Sequence, residues 1–112
     1  MNTPVSFELA KLLKEKGIIF QTKEYYSSDT KVTSVSYNEF AAPTIADVVM
    51  WLYEKHEIWI SVEPPFPRRI VLWEYYIQKA NHRTSLGQNS GYNTPIEAYE
   101  AAIKYTLENH IK

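Results

Sequence analysis

Stretches in which apolar residues return every three or four positions alternate along this chain with shorter stretches in which they return every second position. Thr3 and Pro4 open the first of them, a hydroxyl suited to capping free amides followed by an imino acid suited to a first helical position. Val5, Leu9, Leu12, Leu13 and Lys16 then recur at helical spacing and Gly17 supplies the stop, so a helix is expected over 4–16. Ile18 to Tyr26 alternates instead, with Ile18, Phe20 and Thr22 on one side and Gln21 and Lys23 on the other, which predicts a strand. Ser27, Ser28 and Asp29 read as a turn, and Val32 to Tyr37 as a return strand.

The second half repeats this order. Thr44 followed three residues later by Asp47 has the form of a capping box, and Ile45, Val48, Val49, Leu52 and His56 make a helical stripe from which Asp47 and Glu54 point away. Ile58, Ile60 and Val62 alternate with Trp59 and Ser61 as a strand, which ends where Pro64, Pro65 and Pro67 withhold ladder hydrogen bonds. Arg68 and Arg69 lead into Ile70 to Ile77, an expected antiparallel return. Glu74 sets its faces: Val71, Trp73, Tyr75 and Ile77 toward the core, and Ile70, Leu72 and Tyr76 away from it.

Ala80 to Asn93 has little apolar pattern and is expected to be a flexible loop. Thr94, Pro95 and Glu97 form the strongest helix start in the chain, followed by a stripe of Ile96, Tyr99, Ala102, Ile103, Thr106, Leu107 and His110, with Glu100 and Lys104 as an i,i+4 pair on its flank. The order α-β-β-α-β-β-α predicts a single α+β domain over 1–112. Its antiparallel sheet should have about three to four strands, with three helices packed on one face and the other face open.

Composition narrows the function more than it names one. The 112 residues are 45% apolar and 22% charged with only three Gly, a globular balance. Zero Cys removes disulfides, thiolate nucleophiles and Cys-ligated metal, and fits a cytoplasmic protein. A net charge of −1 gives no global attraction to polyanions or anionic membranes. The start of the chain lacks a basic region followed by an apolar stretch, and no apolar run approaches a bilayer span, so neither export nor a membrane partner is expected.

Three segments carry a resemblance: Ser6 to Gly17 (SFELAKLLKEKG), Ala42 to Glu54 (APTIADVVMWLYE) and Tyr92 to Leu107 (YNTPIEAYEAAIKYTL). Together they resemble small uncharacterised proteins of bacterial phages and mobile elements. In that group an amphipathic helix ending in Gly precedes a Pro-Thr-capped helix, a Trp-containing hairpin and a closing Thr-Pro-x-Glu-Ala helix. The likeness rests on caps and stripes over about half of the chain; Tyr25 to Phe40 and Glu63 to Arg69 have no counterpart in it. It implies a bacterial or phage intracellular setting and brings no reaction and no site residue.

Candidate chemistry is sparse. His56, His82 and His110 lie 25 or more residues apart, outside any local metal-ligand spacing. Gly87 to Gly91 precedes a helix but lacks the Lys-Ser/Thr of a phosphate loop. Ser85 and Ser90 have no nucleophile setting, and the pairs Glu54/Glu57 and Glu97/Glu100 fit solvated faces. The expectation is therefore no catalytic residues, no metal and no cofactor; a hydrolase using His82 with a distant carboxylate is the least favoured class.

Aromatic residues make up 14% of the chain, an amount that serves a small core or an interface. Trp51 falls on the flank of its helix, either under a loop or free as a contact, and Trp59, Leu72 and Tyr76 belong to the sheet face turned from the helices. The leading expectation is a non-enzymatic protein-binding domain, with a partner protein or a homodimer docked on that face. The alternative is single-stranded nucleic acid at a basic and aromatic hairpin carrying Arg68 and Arg69, since residues from Arg68 onward hold six basic against four acidic side chains.

Overall fold

A computed structural model describes residues 3–18, 20, 25–28, 31–33, 40–41, 43–64, 72–80 and 84–111, with backbone alone for 25–28, 31–33 and 40–41. The architecture is α+β. In chain order it comprises α1 (Phe7–Glu15), β1 (Tyr25–Ser28), β2 (Lys31–Thr33), β3 (Phe40–Ala41), α2 (Ile45–His56), β4 (Ile58–Glu63), β5 (Trp73–Lys79), β6 (Ser85–Tyr92) and α3 (Pro95–Asn109).

The strands form two antiparallel sheets of three, in the orders β2-β1-β3 and β4-β5-β6. Two helices serve the larger sheet from one side, α2 over its edge strand β4 and α3 across β4, β5 and β6, whereas α1, expected on the same face, packs against α3 and the smaller sheet. One continuous core results. It joins Leu9 and Leu13 of α1, Val48 and Leu52 of α2, Ile103 and Leu107 of α3, and Ile60 and Ile77 of the larger sheet.

Helix ends explain where the chain departs from its apolar pattern. The cap of α1 is Ser6, whose Oγ accepts from Leu9 N at 3.3 Å, and not Thr3. Thr3 to Val5 is extended because its backbone pairs with the segment before α2: Val5 N donates to Pro43 O and Ile45 N to Thr3 O, both at 2.9 Å. At the other end Gly17 (φ +74) donates to Lys14 O and Ile18 N to Leu13 O, the two bonds of a Schellman motif. Ile18 is thus spent on terminating α1; of the strand expected over 18–26, Tyr25 and Tyr26 lie in β1, and 19 and 21–24 lie outside the described residues. Ser27 and Ser28, expected as turn, belong to β1, where Ser28 pairs with Lys31. Of the return strand expected over 32–37, Val32 and Thr33 lie in β2, and 34–37 lie outside the described residues.

The capping box of α2 is complete, with Thr44 Oγ1 accepting from Asp47 N at 3.1 Å and Asp47 Oδ2 accepting from Thr44 N at 3.0 Å. In α3 Thr94 accepts from Glu97 N, but the Glu97 carboxylate reaches past the cap to Asn93 N. Glu100 does not behave as a solvated flank residue either: its carboxylate accepts from Ser6 N at 2.9 Å and so ties α3 to the first turn of α1.

The expected loop over 80–93 is corrected over most of its length, because Ser85–Tyr92 is the third strand of the larger sheet. It escaped the periodicity argument because it is an edge strand with most of its side chains in solvent. Bulges interrupt both ends of its register, and at Gly87 an added Cβ would come within 2.9 Å of the Tyr105 ring.

Candidate interaction face

Register decides which side chains share a face. Ile60 stands opposite Ile77 and Val62 opposite Tyr75, and Ile58, Ile60, Tyr75 and Ile77 are buried beneath the helices. The intervening residues therefore project from the other side: Trp59, Ser61 and Glu63 from β4, and Glu74, Tyr76 and Gln78 from β5. Gln88 and Ser90 of β6, opposite Tyr76 and Glu74, continue that side. Among the described residues no helix or strand packs on it.

Trp59 and Tyr76 are half-buried and sit near each other on this side, since Tyr76 stands opposite Ser61, two residues from Trp59. Trp59 also meets the Tyr53 ring of α2 edge-on, at a centroid distance of 5.5 Å. Tyr53 is 45% exposed and its neighbour Met50 43%, so apolar surface extends from the sheet onto the outer flank of α2.

Two carboxylates lie next to Tyr76. Glu63 and Glu74 are direct cross-strand partners, an arrangement in which like charges repel. The Tyr76 hydroxyl donates to Glu74 Oε1 at 2.6 Å. That hydrogen bond holds the Tyr76 pKa above its ordinary value, with desolvation and then the charges of Glu74 and Glu63 acting in the same direction. Lys79, on the same strand as Glu74, stands opposite Ile58 on the helix side and donates its ammonium to His56 O at 2.8 Å, closing the end of α2.

The structure thus brings together Trp59 and Tyr76. Leu72 is half-buried and immediately precedes β5. Trp51 is elsewhere: its ring is half-buried between Phe20, at 5.8 Å, and His56, at 4.9 Å. Arg68 and Arg69 lie outside the described residues, as do His82 and the expected strand residues Ile70 and Val71. Sequence reasoning missed Glu63 as a site residue, because the nine residues joining β4 to β5 do not fix the register that sets it against Glu74.

An open groove of ≈ 610 Å³ is lined by Pro4, Ser6, Glu8, Tyr92, Ile96, Glu97 and Glu100, but Glu97 and Glu100 already serve helix starts. Tyr75 is buried, and desolvation, followed by its neighbour Tyr92, pushes its pKa up to about 12. His110 contacts Leu86 O through Nε2 at 3.2 Å. Among the described residues no three His, Cys, Asp or Glu side chains gather as a metal site, and no helix is long and apolar enough to cross a membrane. No family model matches the chain, and neither a curated protein nor a solved structure matches it.

Proposed function

We propose that this protein is a non-enzymatic contact domain that binds another polypeptide, either a partner protein or a second copy of itself, through the helix-free side of the β4-β5-β6 sheet. The observation that carries the reading is the pair Trp59 and Tyr76, half-buried on a side where no described helix or strand packs, with the Trp59 ring leaning on Tyr53 of α2. Large rings without a covering layer favour a contact role over a purely structural one. A cytoplasmic, bacterial or phage setting belongs to the same reading, supported by the absence of Cys and by the resemblance of the capped helices.

Sedimentation velocity from micromolar to millimolar concentration, combined with a photo-crosslinking residue at Tyr76 in a bacterial host, tests it. A dimer that dissociates on Trp59→Ala with Tyr76→Ala, or a polypeptide adduct formed from position 76 and not from exposed Lys11, supports the reading. A monomer at every concentration together with no adduct removes it. Single-stranded nucleic acid is less favoured, because Glu63 and Glu74 oppose phosphate on this side. Oligonucleotide titration at two salt concentrations, with Arg68→Ala and Arg69→Ala, decides between the two classes.

A further inference from the structure

Building on the reading of this side as a polypeptide contact, we propose that its partner is a basic segment that places an arginine or lysine side chain against Glu63 and Glu74, beside the ring of Tyr76. Electrostatics supports this choice. Two carboxylates directly opposite each other on an antiparallel pair are unfavourable unless a cation joins them, and no described Lys or Arg projects from this side. A cation arriving from a partner converts that repulsion into attraction, and a guanidinium matches paired carboxylates with its parallel N–H groups.

The surroundings suit the same guest. The bond from Tyr76 to Glu74 fixes one carboxylate before binding, so less freedom is lost on contact. The adjacent ring of Tyr76 offers a negative face to a cation and apolar area to its methylene stem. A second copy docked face to face would oppose four carboxylates and a nucleic acid would add phosphates, so a basic heterologous segment is the occupant that the charge favours.

The test titrates isotope-labelled full-length protein with the extended peptide Thr-Val-Arg-Val-Arg-Val-Thr, capped at both ends, and with versions carrying Gln or Glu in place of both Arg. The expected result is resonance shifts at Glu63, Glu74 and Tyr76 with the Arg peptide. Binding should be roughly tenfold weaker with Gln and absent with Glu. The variant Glu63→Gln with Glu74→Gln should lose binding while unfolding at the same or a higher temperature, because the repulsion is gone; that separates recognition from folding. Equal shifts with all three peptides overturn the cationic partner and leave the polypeptide contact standing. An absence of shifts on this side also overturns it, and the contact reading then rests on the sedimentation and crosslinking result alone. Shifts of these resonances by an oligothymidine overturn both.

Discussion

Glu57 closes α2 in the left-handed region, at φ 56, a conformation that favours glycine, and its carboxylate stands at the negative end of the helix dipole. The conformation is imposed from outside: Glu57 N donates to Tyr53 O, and Glu57 O accepts from Ala80 N at 2.7 Å. Replacing Glu57 by Gly removes a left-handed penalty of roughly 1–2 kcal/mol. The greater freedom of glycine in the unfolded chain takes back roughly 0.5–1 kcal/mol. Loss of the misplaced charge adds about 0.3–0.5 kcal/mol. The net expectation is a gain of about 1 kcal/mol, or a rise in Tm of about 4 °C for a domain of this size. Glu57→Ala is the control, because it removes the charge and keeps the strain, and its gain should stop at about 0.3–0.5 kcal/mol. Thermal and urea unfolding followed by tryptophan fluorescence and circular dichroism measures both variants. A Glu57→Gly protein no more stable than Glu57→Ala would refute the strain argument.

Three further outcomes follow from the packing. Tyr75 holds its proton to about pH 12 in the folded state against 10.0 in its ordinary state, so its stabilising contribution is full below pH 10 and fades as pH rises toward 12; ultraviolet tyrosine titration should show a late-ionising component near pH 12 that Tyr75→Phe removes. Lys79→Met keeps the apolar stem but loses the ammonium at His56 O, and should cost about 1 kcal/mol in urea unfolding, with a smaller loss at high salt. Leu52 is fully buried, so Leu52→Ala should cost about 2–5 kcal/mol, and a loss under 1 kcal/mol would mean that the α2 stripe is not the core.

The second and third helices were legible because each is written twice, once in its start signal and once in its stripe. Thr44 with Asp47 marks the start of α2 and Thr94 the start of α3, while Val48 and Leu52 or Ala102 and Ile103 mark the inward sides. The faces of β5 were legible for a similar reason, since Glu74 among apolar neighbours leaves one side for the core, and Tyr75 and Ile77 take it. The third strand of the larger sheet was not legible. β6 is held by backbone pairing to β5 and buries little of its own side-chain surface, so its sequence of Ser, Gln, Asn and Gly carries no two-residue repeat. The pairing of Thr3 to Val5 with the segment before α2 was hidden likewise, because the partner carbonyl at Pro43 is distant in sequence.

By itself, then, the chain determined its class, its helix boundaries to within a few residues, and the side of each central strand that meets the helices. These are local properties, set by propensity, capping and periodicity within a few neighbouring residues. Tertiary structure decided what depends on register and docking. It set Glu63 against Glu74, brought Trp59 and Tyr76 to one uncovered side, and turned Trp51 toward Phe20 and His56. Residues on different elements meet only after the strands have chosen their alignment, and that choice is made by the whole buried layer at once.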